Sequence, residues 1–413
     1  MSIKVGATDM KQEQKRELKP KLRFPEFRDA SEWRITALDS KVTKVGSGIT
    51  PTGGHKNYKN KGRPFIRSQN VGWGELILDD VAFIDNATHA TFLATEIKEG
   101  DVLLNITGAS IGRSAVADSR IHGGNVNQHV CIIRPIIKEL SPELLNQYLL
   151  SQYGQKQVDS FQAGGNRQGL NFAQVRSFSI PLPQKIEEQQ KIADCLSSID
   201  KLIAAQSQKR DTLKAHKKGL LQQLFPAEGE TLPQLRFSEF REKWKENSLG
   251  VVSDSISSGK DKSDPNGSYD LYGSTGVIGK TSSGTYNGEF ILIARVGANA
   301  GFLTRVNGRF GVTDNTLVVC VNKSTNIDFV LHYLENFSLN RLIFGSGQPL
   351  ITGGQLKALP LFLPNNLEQQ KIANCLASID ALIAAQTQKL AMLNGHKKGL
   401  MQQLFPSPDE VQG

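Results

Sequence analysis

Four cysteines, three tryptophans and 7% aromatic residues are few for a chain of 413. No apolar run approaches the ~18 residues of a membrane span. Cys131, Cys195, Cys320 and Cys375 form no C-x-x-C pair and have no histidine at metal-ligand spacing. That excludes a disulfide scaffold and a zinc site, and it predicts reduced, packed thiols in a cytoplasmic protein. The opening MSIKVGATDMKQEQKRELKP has no apolar core, so no signal peptide is expected. Acidic residues are also short, with 40 Asp and Glu against 49 Lys and Arg, a net charge of +9. The excess suits a polyanion partner, and equally plain solubility. With 38% hydrophobic residues over this length, two or three domains with buried cores can form.

What is present is a duplication. Residues 188–226, EQQKIADCLSSIDKLIAAQSQKRDTLKAHKKGLLQQLFP, recur at 368–406 with 29 of 39 positions identical. A shorter echo opens each half, PKLRFPEFR at 20–28 and PQLRFSEFR at 233–241, followed by Trp33 and Trp244. Ile192, Leu196, Ile199, Ile203, Leu213, Leu220 and Leu224 fall on a 4-3 heptad stripe. Ile372, Leu376, Ile379, Ile383, Leu390, Leu393, Leu400 and Leu404 repeat it. Each repeat follows a proline (Pro183, Pro364) and stops at Phe-Pro, so each reads as one helix about 58 Å long. Two matching stripes in one chain most simply cover each other as an intramolecular coiled coil; the alternative is that each packs on its own domain. Gln206, Gln386, Lys217 and Lys397 interrupt the seam in equivalent places and can fix its register.

The blocks between, rich in Gly, Asn, Ser and Thr with short strands such as DVLLNIT, HVCIIRP, EFILIARV and NTLVVCV, read as two α/β domains. The expected division is a basic tail 1–20, a block 21–185, a helix 186–226, a linker and second block 227–365, a helix 366–406 and a tail 407–413. Landmarks run parallel: Gly108–Gly112 matches Gly297–Gly301, and Val126-Asn127-Gln128 matches Thr313-Asp314-Asn315. The blocks read as two versions of one fold with unlike surfaces.

A catalytic constellation is not found. Gly273–Thr281 imitates a phosphate loop but has five residues between its outer glycines where that motif needs four, so a tight β-turn is expected. His216 and His396 are repeat equivalents expected on the helix surface. What remains is loop chemistry suited to base edges: Arg and Lys for guanine, Asn and Gln for adenine, Ser and Thr for either. The candidates are Arg67, Ser68, Gln69, Asn70, Asn127, Gln128, Asn166, Arg167 and Gln168 in the first block. In the second they are Tyr272, Ser274, Thr275, Lys280, Arg295, Asn299, Asp314, Asn315 and Gln348.

The openers, the twice-occurring EQQKIAxCLxSID…HKKGLxQQLFP repeat, and GSTGVIGKT, ARVGANAG and GVTDNTLVV in the second block resemble the DNA-specificity subunits of type I restriction-modification enzymes, over essentially the whole chain. The resemblance implies two duplicated α/β target-recognition domains separated by an intramolecular antiparallel coiled coil of two long helices. Each domain would read half of a bipartite site in double-stranded DNA. It implies no catalysis by this chain: two adenine methyltransferase subunits using S-adenosylmethionine would dock on 186–226 and 366–406, and restriction subunits using ATP and Mg would join, away from any membrane. A stand-alone DNA-binding regulator and a protein–protein adaptor are the competing functions. Salt-sensitive DNA binding separates the adaptor, and co-purification with a methyltransferase separates the regulator.

Overall fold

The computed structural model describes residues 18–162, 169–343 and 350–407. The chain divides into two compact units, one of residues up to 205 with 391 onward, the other of residues 206–390.

The first unit carries β1 (Arg34–Ala37), β2 (Val42–Ser47), β3 (Arg63–Ile66), β4 (Ala82–Ile84), α1 (Asn86–Ala90), β5 (Val102–Asn105), β6 (Ser114–Val116), β7 (Asn125–Val126) and β8 (Val130–Pro135). After these come α2 (Pro142–Leu150), α3 (Gln152–Gln162), α4 (Phe172–Arg176), β9 (Ser179–Leu182) and the start of α5 (Ile186–Leu224). One antiparallel sheet has the order β2-β8-β5-β6, a mixed sheet has the order β4-β3-β7, and β1 pairs with β9 alone. The central sheet is covered on both faces. Val102, Leu104, Cys131 and Ile133 join a core shared with the helices, while Leu103, Val130 and Ile132 join another with Ile66 and Val126. That is why DVLLNIT and HVCIIRP read as unbroken apolar runs rather than alternating ones. The Ser141 side chain caps α2, with Pro142 at its first turn.

The second unit carries β10 (Lys245–Ser248), β11 (Ser253–Ser258), β12 (Tyr269–Gly273), β13 (Gly276–Thr281), β14 (Tyr286–Ala294), β15 (Leu303–Val312) and β16 (Thr316–Val321). It continues through α6 (Ile327–Phe337), α7 (Gly353–Lys357), β17 (Pro360–Leu363) and the start of α8 (Asn366–Leu404). Its main sheet has the order β11-β16-β14-β15-β12-β13, and β10 pairs with β17 alone. The first unit's β2-β8-β5-β6 thus recurs as β11-β16-β14-β15. The parallel pair β3–β7 recurs as β12–β15, with the ten residues of β15 serving where the first unit breaks its chain between β6 and β7. The phosphate-loop imitation is the β12–β13 hairpin, turning at Gly276 with φ +94°.

Both repeats are helices of 39 residues, and the least exposed positions follow the 4-3 stripe. Within the second unit the two helix segments run antiparallel, because Gln206 faces Gln386 while Lys217 faces Asp380. Gln386 Nε2 donates to the Gln206 side chain (2.6 Å) and to its backbone carbonyl (3.1 Å), a polar pair that only one register satisfies. The seam lysines are ion-paired. Lys217 reaches Asp380 and Glu335 at 2.8 Å each, and Lys397 reaches Asp200 at 2.6 Å. Burial pushes the Glu335 carboxyl up, but hydrogen bonds from His332 and Lys217 outweigh it and hold it below the ordinary range.

The openers pack on the helix starts. Arg23 forks onto Glu188, Nε to Oε1 at 2.7 Å and the terminal nitrogen to Oε2 at 2.8 Å. Arg236 does the same to Glu368 at 2.6 and 2.8 Å. Both carboxylates are buried. Leu22 N–H donates to Gln403 O, and Leu235 N–H to Gln223 O, so each opener also holds the far end of a repeat helix. The next repeat residue, Gln189 or Gln369, accepts from the backbone N–H of Ser141 or Asn326, the caps of α2 and α6. Much of the repeat's identity is therefore spent on contacts inside each unit. Among the described residues no helix is long and apolar enough to cross a membrane.

Candidate nucleic-acid interface

In each unit the strand ends gather loops into one cluster. In the first, Asn127 N–H donates to Ile66 O, Ile106 N–H to His129 O, and Leu170 N–H to Ile106 O. The second repeats these bonds, from Thr313 N–H to Tyr272 O, Arg295 N–H to Asn315 O, and Ile351 N–H to Arg295 O. The shared ladder matches Asn127-Gln128-His129 to Thr313-Asp314-Asn315. This corrects the sequence alignment by one residue, since the backbone and not the amide side chains sets the equivalence. The glycine landmarks do correspond. Gly112 and Gly301, at φ +85° and +92°, donate back to Asn105 and Ala294, and a Cβ there would sit 2.6 Å from Gln155 Oε1 or 2.9 Å from Asn340 N.

The candidate residues separate into those that build the loops and those that face outward. Asn70 is 1% exposed; its Oδ1 accepts from Arg67 N–H and its Nδ2 donates to the carbonyls of Ile77 and Asp80. Asn127 is 7% exposed, and its Oδ1 accepts from His129 N–H at 3.0 Å. In both, the amide oxygen serves the loop's own backbone. Arg67 lies over the Tyr58 ring and donates to Asp80, which also receives Gln69 Nε2 at 2.7 Å. The Ser68 carbonyl accepts from Asn105 Nδ2 at 2.8 Å, anchoring the same turn. Gln128 is exposed in the cluster.

In the second unit the Tyr272 ring packs edge-on to Phe310, and burial pushes its phenol above the ordinary range. Ser274 is half-buried and Thr275 exposed at the hairpin turn. Lys280 is exposed and bonded across the hairpin to Asp270 at 2.8 Å. Arg295 is half-buried, with an Nε that has no partner among the described residues. Asn299, Asp314 and Asn315 are exposed. Asn166, Arg167, Gln168 and Gln348 lie outside the described residues, as do residues 1–17 of the basic tail; Leu18 is buried and pairs with Trp33.

Sequence reasoning missed His129, whose Nδ1 lies 2.6 Å from Thr107 Oγ1 and whose Nε2 lies 3.0 Å from Gln128 Nε2. It missed exposed Trp73 with Arg113 over its ring, although a Trp between Gly72 and Gly74 is a readable signal. It also missed the exposed Val277 and Ile278 on the hairpin.

The type I restriction modification DNA specificity domain matches this chain twice, over residues 33–215 and 241–394. The chain belongs to that family. Its general role is recognition of DNA sequence. The specificity-subunit relatives include a Methanocaldococcus jannaschii protein proposed as the type I restriction enzyme MjaX specificity subunit, 25% identical over 407 residues, 91% of this chain and 93% of that one. The crystal structure of a type I restriction-modification S subunit from M. genitalium matches with a TM-score of 0.61 at 15% identity, over 94% of this chain and 99% of that one. A chain solved in work on complex assembly and conformational transition of the type I R-M system matches with a TM-score of 0.55 at 18% identity, over 91% and 97%. Each match takes in one recognition domain and part of the repeat helix that follows it. Among the described residues no group of three or more His, Cys, Asp or Glu could hold a metal ion.

Proposed function

We propose that this chain targets a type I restriction-modification complex to double-stranded DNA, each loop cluster reading one half of a bipartite site. The observation that carries the reading is the contrast between two clusters built on the same backbone bonds with unlike side chains and two repeat helices that are nearly identical. Unlike loops suit unlike half-sites; like helices suit two copies of one partner. Methyltransferase subunits bring S-adenosylmethionine, and restriction subunits bring ATP and Mg; the chain itself contributes position. The test is to purify it with its neighbouring modification subunit, measure DNA binding across salt, and map the methylated bases. Salt-insensitive binding would leave an adaptor, and tight specific binding without any methyltransferase partner would leave a regulator.

Two expectations follow for the helices. Ser198, Leu202, Ala205, Lys209 and His216 share an exposed face with their identities at 378, 382, 385, 389 and 396, and Leu202 and Leu382 are 42% and 55% exposed. Leu202→Glu or Leu382→Glu should each remove one of two methyltransferase copies, read by native mass or light scattering, and the double variant should remove both. One heptad added to each helix at Gln206 and Gln386 lengthens both by roughly 10 Å. The unread gap between half-sites should widen by at most about three base pairs, with the half-sites unchanged. A one-residue insertion turns the stripe by about 100° and should abolish assembly. Methylation mapping decides: an active heptad variant with an unaltered gap means the helices do not set it.

A further inference from the structure

The geometry points to Gln128 as the reader of an adenine in the first domain's half-site, with His129, held by Thr107, as the positioning residue that fixes which way its amide faces. The inference rests on the DNA-reading proposal above. Gln128 is exposed, yet its amide is not free to turn. Its Oε1 accepts from Thr50 Oγ1, and its Nε2 lies 3.0 Å from His129 Nε2. An amide nitrogen can only donate, so this imidazole nitrogen accepts. The other ring nitrogen then carries the proton, which goes to Thr107 Oγ1 at 2.6 Å. The histidine backbone is pinned as well, its N–H by Asn127 Oδ1 at 3.0 Å and its carbonyl by Ile106 N–H at 3.0 Å.

Two of the amide's four hydrogen bonds are thus used, leaving one N–H and one carbonyl lone pair. An amide N–H and a carbonyl lone pair are what the N7 acceptor and N6 donor of adenine require; guanine would set its O6 acceptor against the carbonyl. Turning the amide over alone would press its carbonyl against the accepting imidazole nitrogen. Turning it over requires the ring proton to move to Nε2 as well, with the Thr107 hydroxyl changing from acceptor to donor, while Asn127 holds the histidine backbone in place. The second unit has no such chain: its equivalents are Val296, which has no hydroxyl, and exposed Asp314 and Asn315. Any effect should therefore be confined to one half-site, and the other half-site serves as the control.

The experiment uses the chain assembled with its methyltransferase, and duplexes carrying 7-deazaadenine, which lacks N7, at one adenine at a time. Wild-type binding should fall roughly ten- to a hundredfold at one adenine of one half-site. Gln128→Ala should lose that sensitivity while keeping the other half-site intact. His129→Phe should relax the choice of base at that position alone. Thr107→Val should resemble His129→Phe, and Thr107→Ser should behave as wild type. Unchanged 7-deazaadenine sensitivity in Gln128→Ala overturns the inference, and so does a His129→Phe variant that weakens both half-sites equally. Absence of specific binding by the wild type overturns the DNA-reading proposal as well.

Discussion

Arg236→Met should lower the stability of the second unit by about 3–5 kcal/mol, the cost of leaving one member of a buried ion pair alone. Glu368 is fully buried, and Arg236 is its bidentate partner. The Trp244 indole nitrogen, which could have helped, has no partner among the described residues. The equivalent Arg23→Met should cost less, by about one hydrogen bond or ~1 kcal/mol, because Trp33 Nε1 still donates to Glu188 at 3.1 Å. Denaturant unfolding followed by tryptophan fluorescence reads both, since Trp33 and Trp244 are buried in the first and second units respectively. Adding Glu368→Leu to Arg236→Met should recover most of the loss, because it removes the orphaned charge. Exposed Arg241→Met is the control and should stay within about 0.5 kcal/mol of wild type. A loss in Arg236→Met no larger than this control would mean that the fork contributes nothing net.

Exchanging the first recognition domain for that of a relative with another target should replace one half of the methylated sequence and leave the other half as it was. The cut points matter. Residues 40–175 would sever α4, Phe172–Arg176, one residue before its end. The antiparallel pair β1–β9, with Arg34 opposite Leu182, is a natural neck that closes the domain, as β10–β17 does in the second unit. A graft of residues 34–182 must also keep Gln147, whose side chain bonds Asp200 of the retained helix, and a residue other than proline at 141, whose backbone N–H bonds Gln189. Methylation mapping of the hybrid is the readout, and changes in both halves would refute independent reading.

The helices were legible because period and repetition are properties of the sequence itself. The openers were legible as repeats but not as forks, since nothing in LRFxEFR says that its first arginine meets a glutamate 165 residues on in one unit and 132 residues on in the other. The site was half legible. Asn70 and Asn127 have the right chemistry for a base, but their amide oxygens accept from the loop's own backbone, which no sequence pattern announces. The one-residue slip between the domains arose because Asn and Gln catch the eye, whereas correspondence is set by which carbonyl each N–H meets. A lone His129 carried no signal until Thr107 and Gln128 were seen on either side of it.

The core of the first unit takes in Met401, Leu404 and Phe405, with Phe405 edge-on to Tyr148 at 5.5 Å. Those residues leave the ribosome after the entire second unit has been made. Until then Tyr148, Ile192 and Leu196 lack part of their cover, and closing the gap means ordering a loop that is long by any measure. Among the described residues the core of the second unit takes in nothing later than Leu376, so that core can be completed first, and the domain translated first is the one completed last.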